Sequence, residues 1–123
     1  MRSLLTFSLL LSAAPAWAEW VKSGESKDVV YYVDPASIRK EGSVRRFWAV
    51  QDMRESSPGG IMSIRALEEY DCAERKFRYL SISAHSGPMA GGQILLADNL
   101  ADEWSHLPPG AASSTIQKIV CVP

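Results

Sequence analysis

The clearest pattern in the chain is the alternation over residues 61–72, IMSIRALEEYDC. Met62, Ile64, Ala66, Glu68, Tyr70 and Cys72 fall on one side of an extended strand, and Ser63, Arg65, Leu67, Glu69 and Asp71 on the other. The first set is the expected core face, with Glu68 its one awkward member. Five further segments read as strands from their β-branched and aromatic content: Glu19–Ser23, Asp28–Asp34, Val44–Met53, Lys76–Ala84 and Gln93–Asp98. Short polar or glycine-bearing links separate them, which favours antiparallel neighbours in a meander. The link His85–Gly92 reads as a mobile hairpin loop.

Two places break the strand rhythm. Asp34 followed by Pro35 has the form of a helix start, and Gly42 that of a stop, so one helical turn is expected between them. Near the end, Ser114-Thr115-Ile116-Gln117 has capping-box spacing, and Ile116, Ile119 and Val120 form an apolar stripe at i, i+3 and i+4. Ile119 and Cys121 also alternate as a strand would, so a short helix running into an extended end fits equally. The expected fold class is α+β: a small antiparallel β-sheet of about five to six strands with a C-terminal helix packed on it, stapled by a disulfide.

The first 18 residues stand apart. Arg2 precedes the uncharged run SLLTFSLLLSAA, too short for an ordinary membrane span, and Ala16-Trp17-Ala18 offers small residues where a signal peptidase reads them. Residues 1–18 are therefore read as a signal peptide and 19–123 as one domain. No cysteine at the cleavage site offers a lipid attachment point, which points to the periplasm or to secretion, with no transmembrane segment in the mature chain. Loss of Arg2 with the leader leaves twelve basic residues against 14 acidic ones. That balance argues against nucleic acid or an acidic membrane as the partner.

In an exported chain, two cysteines are most economically a disulfide, here Cys72 with Cys121. Closing a loop of about 50 residues stabilises by roughly 4 kcal/mol in the chain-entropy model. The competing possibilities, a reactive pair or a metal site, lack C-x-x-C spacing and a nearby histidine pair. The sequence carries no familiar catalytic constellation. His85 and His106 have no ligand-spaced partner, no serine sits in G-x-S-x-G, and GPMAGG lacks the Lys-Ser/Thr of a phosphate loop. Glu68 and Glu69 point to opposite sides of a strand and cannot act on one substrate. The chain is accordingly read as no enzyme and as holding no metal. Arg75, Lys76 and Arg78 are the candidate partner-binding residues. The plainer alternative makes Arg75 and Lys76 solvated turn charges and pairs Arg78 with an acid across the sheet. Trp20, Trp48 and Trp104 are read as core aromatics.

Taken together, Trp20, YYVDPASI (Tyr31–Ile38), the strand with Trp48, YDCAERKFR (Tyr70–Arg78), the strand after Gly92 and the segment from Trp104 to Cys121 resemble the bacterial surface-adhesin protein E family. The element D-C-x-x-R-x-x-R, filled by Asp71, Cys72, Arg75 and Arg78, and the closing segment from Trp104 to Cys121 together carry that likeness. The resemblance implies a small antiparallel sheet under a helix, the Cys72–Cys121 bridge and export in a Gram-negative bacterium. It also implies binding of a protein partner in the envelope or host matrix, a homodimer, and haem as a candidate cofactor that His85, His106 or Tyr31 would ligate. The missing lipid-attachment cysteine departs from the family pattern, so surface anchoring does not carry over. The expectation is an exported noncatalytic binding module. The alternatives are a haem-binding periplasmic protein and, behind it, an enzyme inhibitor or an unfamiliar enzyme.

Overall fold

The computed structural model describes residues 19–100, 102–106 and 113–123. The leader read over 1–18 lies outside them, as does the Ser114 side chain on which the capping box rests. The strands are β1 (Val21–Glu25), β2 (Val29–Val33), β3 (Arg39–Glu41), β4 (Val44–Met53), β5 (Ser63–Asp71), β6 (Lys76–His85), β7 (Ile94–Asn99) and β8 (Ser105–His106), followed by the helix α1 (Ser113–Val120). All pair antiparallel in one sheet of order β1-β2-β4-β5-β6-β7. The ten-residue strands β4 and β6 each serve two short partners: β3 also pairs with β4, and β8 with β6.

The sheet thus has eight strands rather than five or six. The two missed strands are short and wholly exposed, so burial leaves no alternation in them to detect. Their extended form comes from pairing with a neighbour. Arg39–Glu41 falls where the helical turn was expected to run on. The turn itself is real but brief: the Asp34 carboxylate accepts from the Ala36 amide at 3.1 Å, and a 3-10 turn spans only Pro35–Ser37. The Ser37 hydroxyl then accepts from the Trp48 amide at 2.9 Å, tying the turn to β4. Gly42, at φ +59°, makes the tight β3–β4 hairpin instead of ending a helix.

One face of the sheet carries the core. Val33, Phe47, Ala49 and Tyr70 are buried together with Val120 of α1, while Ile116, Ile119, Cys72, Cys121 and Phe77 pack around them. This is the Tyr70–Cys72 side anticipated from the alternation. The apolar stripe of α1 lies against it by the hydrophobic effect. Arg45 Nε donates to the Val120 carbonyl at 3.1 Å and so satisfies an acceptor left free at the helix end. After Val120 the chain bends at Cys121, where the bridge to Cys72 closes, and runs on without regular structure. Among the described residues, no helix is long and apolar enough to cross a membrane.

The opposite face is not simply solvated. Val50 and Ser63 are buried on it, and the segment 87–92 folds back over β4 and β5 there. Ser63 Oγ donates to the Gly87 carbonyl (2.7 Å) and accepts from the Ala90 amide (2.9 Å), while Asp52 Oδ1 accepts from the Met89 amide (2.9 Å). The segment expected to be a mobile loop is therefore anchored to β4 and β5. Its glycines permit the close approach: a Cβ on Gly87 would stand 2.9 Å from the Gly91 carbonyl carbon. A bulge in β6 changes which side chains each face presents. Leu67 pairs with Ser81 but Glu68 pairs with Tyr79, so Leu80 is an extra residue in β6. It shifts the alternation and puts Lys76 and Arg78 on the same face as Ser81, Ser83 and His85.

Candidate functional site: an arginine and tryptophan face

The register aligns four charged residues in a row across the face opposite α1. Arg39 pairs with Arg46, Arg46 with Glu69, and Glu69 with Arg78, spanning β3, β4, β5 and β6. Glu69 organises the row. Its Oε1 accepts from Arg78 Nε (2.9 Å) and Nη2 (2.7 Å), and its Oε2 from Arg46 Nε (3.3 Å) and Nη2 (3.1 Å). The carboxylate is buried, and four charge-assisted hydrogen bonds replace its water. Both guanidiniums keep part of their surface in solvent. Arg46 and Arg78 share this anion, while Arg39 Nη1 donates to the Ala36 and Ile38 carbonyls (3.3 Å each), so the row of three cations and one anion carries an excess of two positive charges.

Trp104, just ahead of β8, extends this surface. The Arg78 guanidinium carbon lies 4.4 Å from its ring centroid and Lys76 Nζ lies 5.4 Å from it, both within cation–π range. A small cavity of about 160 Å³ opens between Arg39, Lys40, Glu41, Val44, Arg46 and Glu69. The neighbouring hairpin is held by Asp71, whose Oδ1 accepts from the Glu74 and Ala73 amides and the Ser43 hydroxyl; the Glu74 amide is the chief cause of its lowered pKa.

The three candidate residues from the sequence thus part company. Lys76 and Arg78 share Trp104, and Arg78 also makes the cross-sheet ion pair with Glu69. Arg75 sits in the β5–β6 turn at φ +54°, exposed, away from the row. Arg39, Arg46 and Trp104 were not anticipated as members, because only register brings them to Glu69 and Arg78. Nor are Trp48 and Trp104 core aromatics: both are half-buried on this charged face. The adjacent acids separate as the alternation required. Glu69 is clamped, while Glu68 is buried on the α1 side between Phe47 and Tyr79, where desolvation raises its pKa to about 7.

The residues considered for haem are not brought together. His85 is buried at one end of β6, with Nε2 2.7 Å from Ser83 Oγ and its pKa lowered chiefly by desolvation. His106 is exposed opposite Lys76, at the other end of β6. Tyr31 pairs with Gln51 on the α1 side of the sheet.

Comparison with known proteins places this architecture. The family model described as surface-adhesin protein E matches residues 20–122. Crystal form II of Haemophilus influenzae protein E superposes with a TM-score of 0.56 at 17% identity, covering 82% of this chain and 95% of that one. Protein E from non-typeable Haemophilus influenzae gives 0.54 at 18% identity, covering 83% and 74%. At this identity the likeness to the solved structures is one of fold. No curated protein sequence matches the chain.

Proposed function

The chain belongs to the surface-adhesin protein E family, and on that premise we propose that it is an exported, noncatalytic binding module whose partner is a protein in the cell envelope or host matrix. The leader-like residues 1–18 support export. The observation that carries the binding reading is the row Arg39–Arg46–Glu69–Arg78 with Trp104 beside it. Arginine and tryptophan are enriched among the residues that dominate protein interfaces, tryptophan for its large rigid ring and arginine for its planar guanidinium with several donors. Here they are held in place before any partner arrives. Glu69 fixes two guanidiniums, and the excess charge favours an acidic patch on the partner.

Affinity capture tests this. The oxidised protein and a charge-reversed variant, Arg39→Glu with Lys76→Glu, are exposed to envelope extract and to host extracellular matrix. Neither changed side chain bonds to Glu69, so the sheet is expected to stay intact. A protein held reproducibly by the wild type and lost by the variant supports this face as the binding surface. Equal capture by both places the interface elsewhere, and background alone from both sources would sink the binding-module reading.

A further inference from the structure

A second feature of the same face lies toward the other end of the sheet, where a groove of about 480 Å³ crosses β4 to β7. Its size falls within the range of ordinary ligand sites. Register explains its shape. On this face Arg65 is followed by Ser83 and Ala97, and the next row by Ser81 and Asn99, so small side chains floor the groove. Arg65 forms one wall, its guanidinium carbon 3.9 Å from the Trp48 ring centroid. Ile94, 65% exposed, forms the other.

The groove holds hydrogen-bond donors without a matching acceptor. Among the described residues Arg65 has no ion pair and no hydrogen-bonded acceptor, and stacking on Trp48 satisfies none of its N–H groups in the ring plane. Ser83 adds another donor. His85 is buried, and its Nδ1 has no hydrogen-bond partner. A proton on Nδ1 would leave a buried N–H unpaired, the rarer and costlier arrangement. The proton therefore belongs on Nε2, which donates to Ser83 Oγ across 2.7 Å. Ser83 then keeps its own hydroxyl proton to offer into the groove.

We propose that this groove is a carboxylate-reading subsite of the binding face, in which Arg65, preset on Trp48, and the Ser83 hydroxyl take one aspartate or glutamate side chain of the partner protein. The inference rests on the proposed binding of a protein partner and names what part of that partner is read. The charge count selects the occupant. One guanidinium suits a monoanion rather than a polyanion such as a sulfated glycan. Ile94 offers apolar contact to the methylenes of an acidic side chain.

Nuclear magnetic resonance titration with a capped tripeptide, acetyl-Ser-Glu-Ser-amide, reads the groove without needing the natural partner. Saturable shifts are expected at the Arg65 Nε–H and the Trp48 indole N–H, at least tenfold weaker with the glutamine analogue of the peptide. Arg65→Gln should weaken the glutamate peptide at least tenfold. Asn99→Asp, an exposed change that adds repulsion without disturbing the wall, should do likewise. Equal binding of the glutamate and glutamine peptides would overturn the proposal, as would an unchanged affinity in Asn99→Asp. Tighter binding of a heparin-derived hexasaccharide at the same resonances would also overturn it, in favour of a glycan. Peptide binding at Arg65 with no protein captured from either extract would uphold the subsite and count against the wider function.

Discussion

Replacing Glu68 by glutamine should make the protein more stable at mildly alkaline pH while barely changing it in mild acid. Glu68 is only 8% exposed and faces Phe47 and Tyr79 across the neighbouring strands. Desolvation raises its pKa from 4.5 to about 7. The folded protein therefore holds this proton over a range in which the unfolded chain has released it. The stability this contributes is fully present below the unfolded value and is lost as pH rises through the folded one. Between about pH 5 and about pH 8 the loss works out at roughly 2–3 kcal/mol, a large share of a small domain's total stability. Glutamine keeps the shape and hydrogen-bonding capacity of the protonated acid but has nothing to ionise. The assay is urea unfolding of the oxidised wild type and Glu68→Gln at both pH values, taking the difference of differences so that other titrating groups cancel. His85, Asp71 and Glu25, whose pKa values are lowered, act in the opposite direction, losing stability as pH falls, and are common to both proteins. Parallel pH profiles for the two proteins would refute the reasoning. So would a wild type that gains on the variant as pH rises.

Three other outcomes follow from the same structure. Cys72→Ser should destabilise by up to roughly 4 kcal/mol by releasing a loop closed over 49 residues, measured as a shift of the urea midpoint, with capture per folded molecule unchanged; loss of capture in a fully folded variant would assign the cysteine a direct role. Glu69→Gln should cost about 1–2 kcal/mol, because its four hydrogen bonds to Arg46 and Arg78 weaken while both guanidiniums can still turn to water; an unchanged denaturation curve would show that the row is not organised through Glu69. Gly92→Ala should destabilise by at least ~1 kcal/mol, since the residue sits at φ +70° and a Cβ would stand 2.7 Å from the Gly87 nitrogen and collide with Ser86 Oγ. Thermal unfolding checks this, and an equally stable variant would mean that the 87–92 segment is not held against the sheet as described.

The sheet was legible wherever burial imposed a rhythm. β5 alternates because an apolar core on one side and a polar, partly solvated face on the other select opposite residue types, so Tyr70 and Cys72 could be assigned to the core face in advance. The Asp34 start and the apolar stripe of α1 were legible for a similar reason, since each is a local signal acting over a few residues. β3 and β8 were not legible. Neither has a buried side, and each is extended only because β4 or β6 supplies hydrogen-bond partners from elsewhere in the chain. Likewise, the 87–92 segment looks loose in sequence because its anchors, Asp52 and Ser63, lie on two other strands.

The arginine face divides the same way. Sequence alone determined that two cysteines behind a leader-like start should pair, that the acids of Glu68-Glu69 must point apart, and that a basic cluster lies around Arg78; each depends on composition or on near neighbours. Only the tertiary structure decided which of those charges act together. Antiparallel register set Arg39, Arg46, Glu69 and Arg78 in one row, and the extra residue Leu80 turned the lower half of β6 so that Lys76 and Arg78 share a face with Ser83. A bulge of one residue reverses every side chain beyond it. Alternation within a single strand carries no record of where its partner places such a bulge, so the face on which this protein presents its arginines emerges only when the strands meet.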